Sequence, residues 1–181
     1  MVYTKNFVVA LLFWSFWTTE NIYTFSVDAI DGRIIQLQNY KGKKMLFLVI
    51  PFSGTDTTIS AGEIAALQTM HPDVTVFAVP PEDLGYVDED QPKLKSLFRS
   101  FSSNFILTES MNVKKASGAK QSPILQWLTD KNKNRHFDND VRGIGQKFFV
   151  DERGELYAVI GPEIKLSNPM IEQIASRRPG N

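Results

Sequence analysis

The sequence predicts one α/β domain, a central mixed sheet with helices on both faces, and three observations carry that reading. Two unbroken apolar runs, Met45 to Ile50 and Val74 to Val79, have the length of strands buried on both sides. Between them Ala61, Ile64, Leu67 and Met70 recur at helical spacing, so the runs and the helix close a βαβ unit with a right-handed crossover. Late in the chain, Lys147 to Val150 and Leu156 to Ile160 flank Asp151-Glu152-Arg153-Gly154 as a hairpin, and Met170, Ile171 and Ile174 mark a closing helix. A length of 181 residues, 43% of them hydrophobic, suits one sizeable core and leaves little room for a second domain.

Taken in order, the chain opens with Lys5 and an apolar run from Phe7 to Leu12 that continues through Phe13, Trp14, Phe16 and Trp17. The run is shorter than the roughly 20 residues that span a bilayer and has the length of a signal-peptide core. Residues 1–21 are therefore read as a signal peptide or hydrophobic N-terminal segment, and export to the periplasm, envelope or medium is expected. Thr18, Thr19 and Glu20 form no small-residue cleavage site, so membrane association of this segment, or its burial in a cytoplasmic domain, stays open.

Residues 22–181 form the folded unit. Tyr23, Phe25 and Val27 alternate with polar residues, Asp31-Gly32 supplies a turn, and Ile34, Ile35 and Leu37 return the chain as an opening hairpin. Pro51, Ser53 and Gly54 end the first buried strand, and the hydroxyls and carboxylate of Thr55 to Ser60 offer caps for the next helix. Pro80 and Pro81 end the second strand. Leu94, Leu97, Phe98 and Phe101 then describe an amphipathic helix, Phe105 to Leu107 a short strand, and Ile124, Trp127 and Leu128 another helix before the polar run Asp130 to Asp140.

Twenty basic and twenty acidic residues cancel, so no global field favours nucleic acid or an anionic membrane surface. The absence of cysteine removes disulfides, thiolate nucleophiles and sulfur-ligated metals from this chain. Lys114, Lys115, Lys120, Lys131, Lys133 and Arg135 flank the Trp127 helix without a nucleic-acid motif and read as a solvated face. Glu82, Asp83, Asp88, Glu89 and Asp90 have no metal-loop spacing and read as a solvated loop. No cofactor or metal is expected, and the two histidines, His71 and His136, read as surface residues.

A βαβ half followed by a hairpin and a terminal helix is the thioredoxin arrangement. Within it, Ile22-Tyr23-Thr24-Phe25, Asp31-Gly32, Tyr40-Lys41-Gly42-Lys43, Phe77-Ala78-Val79-Pro80 and Gly145-Gln146-Lys147-Phe148-Phe149-Val150-Asp151 stand in an order and spacing that resemble the glutathione peroxidase family. The resemblance implies a thioredoxin-like fold with an N-terminal hairpin and, taken alone, peroxide reduction in the response to oxidative stress. That chemistry needs a cysteine or selenocysteine polarised by a glutamine, a tryptophan and an asparagine. The matching positions here are Ser53, Asp83, Gly143 and Ile144, so all four have changed. Serine oxygen has no sulfenic state through which to cycle. The expectation is a peroxidase-like protein without thiol peroxidase activity, acting as a binding or interaction module for a protein or small-molecule partner that the sequence does not name. An enzyme repurposed around Ser53, Asp83 or a pocket near Gly143 is the alternative, and a structural role in an assembly is a third. Asp83 is expected to disfavour a neighbouring thiolate.

Overall fold

The computed structural model describes residues 20–52, 59–98 and 104–177. The apolar run before Glu20, the Ser53-Gly54 turn and Phe101 lie outside the described residues.

The chain builds a two-stranded hairpin from β1 (Ser26–Asp28) and β2 (Ile34–Gln36), and a five-stranded sheet. The sheet holds β3 (Lys44–Val49), β4 (Val74–Val79), β5 (Phe105–Leu107), β6 (Lys147–Val150) and β7 (Leu156–Ile160) in the order β5-β4-β3-β6-β7. Strands β3 and β4 are parallel in the register Lys44↔Val74 to Val49↔Val79, as the apolar runs predict. Strand β6 runs antiparallel to β3, which makes the sheet mixed.

Every residue of β3 and β4 is buried because both sheet faces are covered. On one face Met45, Phe47, Val49, Phe77 and Phe148 pack against the hairpin and α3 (Pro123–Thr129), with the Phe47 and Phe77 rings stacked at 4.8 Å. On the other, Leu46, Leu48, Val76 and Phe149 meet α1 (Ala61–Met70), α2 (Gln91–Leu97) and α5 (Pro169–Ser176). Helix α1 starts where the sequence offers a cap. The Ser60 hydroxyl accepts from the Glu63 amide while the Glu63 carboxylate accepts from the Ser60 amide, closing a capping box.

Four local expectations are corrected. The alternation through Tyr23 does not make strand, since the Asn21 side chain accepts from the Tyr23 amide and folds Ile22–Thr24 into a 3-10 turn. The late hairpin has five connecting residues, 151–155, because Asp151 Oδ1 accepts from the amides of both Arg153 and Glu155. The polar run contains α4 (Lys131–Asn134), capped by Asp130 and closed by the buried Asn134 amide on the carbonyls of Trp127 and Phe137. His71 is buried at the end of α1, and its Nε2 has no partner among the described residues, whereas His136 is exposed as expected.

Candidate functional site

Three of the four positions singled out in the sequence, Asp83, Gly143 and Ile144, follow β4 or precede β6, at the end of the sheet where β3 and β4 finish. Ser53 follows Phe52 directly, and Ile50 donates its amide to Val79 O. Asp83 lies in a 3-10 turn, Glu82–Leu84, four residues beyond β4. Gly143 and Ile144 precede Gly145, whose amide donates to Val49 O at 2.7 Å while Gln146 O accepts from Val49 N at 3.0 Å. Gly145 needs its φ of +94° to make that turn into β6. The structure thus sets the approach to Gly145 against Val49, and Asp83 beyond the end of β4. The side chain of Ser53 lies outside the described residues.

Asp83 does not act as a free loop charge. Its Oδ1 accepts from the Val113 amide at 3.0 Å, and its Oδ2 accepts from the Lys114 amide at 2.8 Å and the Ser117 hydroxyl at 2.6 Å. Burial alone would raise the carboxyl; the Ser117 hydroxyl and the two amides outweigh it and hold the group below its ordinary value. Beside it, Glu82 accepts from Ser110 Oγ and Asn112 Nδ2, both at 2.8 Å. The two carboxylates therefore clamp the 110–117 segment to the end of β4; Asp83 is half-buried by these contacts, which corrects its reading as solvated, while Glu82 is exposed as expected. Among the described residues no three His, Cys, Asp or Glu side chains gather as a metal site.

The mouth of the site is acidic around an aromatic lid. Phe52 meets Tyr86 edge to face at 5.9 Å, and Gly85 turns against Phe52 at φ +104°. Burial raises the Tyr86 hydroxyl, and Asp88, Glu109, Asp90 and Glu82 raise it further. Across the site Gly143 has no side chain, and a Cβ there would meet only Pro162 Cγ at 3.9 Å. No indole or amide donor occupies positions 143 and 144.

Two neighbours escaped the sequence reading. Lys147 is fully buried, and its ammonium donates to the carbonyls of Gly145 at 2.6 Å, Gly161 at 3.4 Å and Ile164. Burial pushes it down to about 8, against the pull of Glu163 and Glu63. A lysine inside an apolar strand run was the visible sign of this arrangement. Gln146 is 2% exposed, and its Oε1 has no hydrogen-bond partner among the described residues.

No family model matches the chain, and no curated protein matches its sequence. Solved structures do match. Trgpx in apo form superposes with a TM-score of 0.61 at 18% identity, over 88% of this chain and 99% of that one. GPX1 of T. cruzi gives 0.58 at 19% identity, over 86% of this chain and 94% of that one. A thioredoxin-like protein from Aeropyrum pernix gives 0.54 at 17%, over 83% and 86%. The fold is thioredoxin-like. At these identities the likeness is one of architecture.

Proposed function

We propose that this chain is a divergent glutathione peroxidase-like domain that lacks thiol peroxidase activity and acts by binding a partner. The observation that carries the reading is the fate of the catalytic quartet. The chain has no cysteine, and the side chain at the glutamine position, Asp83, spends its acceptors on Val113, Lys114 and Ser117. Peroxide reduction needs an atom that is oxidised by the O–O bond and then reduced by a thiol, and no side chain at these positions supplies one. The retained scaffold, with three loops gathered at one end of the sheet, is a surface suited to recognition. The N-terminal apolar run supports export or attachment to a membrane. Among the described residues no helix is long and apolar enough to cross a membrane.

A steady-state assay with hydrogen peroxide or an organic hydroperoxide, and glutathione or a thioredoxin as reductant, tests the proposal. Rates equal to buffer are expected. Saturable turnover that Ser53→Ala abolishes would replace it with a repurposed enzyme.

A further inference from the structure

The chain is neutral overall, and charges of both signs stand at both ends of the sheet. The site end carries Glu82, Asp88, Asp90 and Glu109 around Tyr86, with Asp90 paired to Lys93 at 3.5 Å. The opposite end is built from the turn before β3, the β6–β7 turn and the stretch after α4, joined where Gly42 donates its amide to Glu152 O and Tyr23 donates its hydroxyl to the same carbonyl. At this basal end Glu20 is matched to Lys133, Asp73 to Lys44, and both Asp151 and Glu155 to Arg153, while Glu152 has no ion-pair partner among the described residues. Lys41, Lys43, Arg135 and Arg177 are exposed and have no ion-pair partner among the described residues. A cleft of about 210 Å³ opens among His136, Arg153, Tyr157 and Arg177, and Arg177 lies over the Tyr157 ring at 5.8 Å.

Two more observations say what this face meets. Arg135 holds φ +68°, a left-handed conformation that costs a residue with a Cβ roughly 1–2 kcal/mol and that asparagine or glycine would adopt more cheaply. The N-terminal chain also enters the fold here, since the Trp127 indole donates to Glu20 O at 2.9 Å and Lys133 pairs with the Glu20 carboxylate. Only two residues separate Glu20 from Trp17, the last aromatic of the apolar run, a reach of at most about 11 Å. A bilayer that takes up that run comes close to Lys133 and Arg135, which stand beside Glu20.

We infer that the basal end is a docking face for an anionic bilayer, with lipid phosphates against Lys41, Lys43, Arg135 and Arg177, and that the candidate site points away from the membrane. The unpaired basal cations set the orientation. The inference does not depend on the loss of peroxidase chemistry.

Because the chain has no cysteine, single fluorophores go where they are wanted. Full-length protein carrying Gln38→Cys at the basal end or Glu89→Cys at the site end, both exposed positions, is mixed with phosphatidylcholine vesicles, with or without phosphatidylglycerol, that contain a headgroup quencher. On phosphatidylglycerol vesicles the label at 38 is expected to be quenched several-fold more than the label at 89. The difference should shrink in phosphatidylcholine alone, at high salt, and with Arg135→Asn plus Arg177→Asn, each cation being worth roughly fivefold in surface affinity. Asparagine accepts the left-handed backbone, so Arg135→Asn keeps the melting temperature while it weakens docking. Equal quenching of the two labels, a reversed order, or a difference indifferent to phosphatidylglycerol and to the asparagine pair would overturn the inference.

Discussion

At the scale of single residues, a half-buried carboxylate and a buried ammonium make opposite pH predictions. Asp83 is ionised in the fold because its hydroxyl and amide donors outweigh burial, which lowers it from an ordinary 3.8. A depressed folded value contributes stability that is present above the unfolded value and lost as pH falls through the folded one. Wild type should therefore lose more stability than Asp83→Asn between about pH 5 and about pH 2, and Asp83→Ala should cost about 2 kcal/mol at neutral pH. Urea denaturation at the two pH values reads both; parallel pH profiles for wild type and Asp83→Asn would remove the clamp from the account. Lys147 is the converse. Its folded value of about 8 lies below the ordinary 10.5, so the unfolded chain binds more protons between those values and stability rises with pH there. Wild type should gain stability relative to Lys147→Met from about pH 8 to about pH 10, measured by the same denaturation; an unchanged difference would contradict the burial argument.

At the scale of elements, two turns decide whether strands and helices start in place. Gly154 closes the β6–β7 connection at φ +83°, and a Cβ there would stand 2.6 Å from Tyr23 Cε2 and 3.0 Å from Ile22 Cγ2. Both backbone and packing therefore refuse a side chain. Gly154→Ala should destabilise by roughly 2–3 kcal/mol, seen as a lower melting temperature, and loosen Tyr23 from Glu152 O. Ser60→Ala, which opens the capping box of α1, should cost about 1 kcal/mol. The sequence makes both elements legible, since the Asp151 to Gly154 run reads as a turn and Ser60 stands three residues before Glu63. The opening 3-10 turn was not legible. Its alternating pattern is that of a strand, and only the Asn21 side chain, competing for the Tyr23 amide, diverts it.

At the scale of the molecule, the sheet was readable because strands buried on both faces leave long apolar runs, and the parallel β3–β4 pair follows from them. The site was readable only as positions. Ser53, Asp83, Gly143 and Ile144 were named from a pattern, and of their neighbours Gly145 donates its amide to Val49 O. What Asp83 does was hidden, because its partners at 113, 114 and 117 are about 30 residues away and nothing local announces them. The proposed function holds that the scaffold has been kept while the peroxidatic arrangement has been dismantled. Restoring sulfur alone should then not restore chemistry, since each missing preorganised donor costs roughly 10²- to 10³-fold in rate. The most direct measurement is stopped-flow oxidation of Ser53→Cys by hydrogen peroxide. The account predicts the rate of an ordinary free thiol; a rate roughly 10³-fold or more above that would mean that the site is still organised for peroxide reduction, and would contradict it.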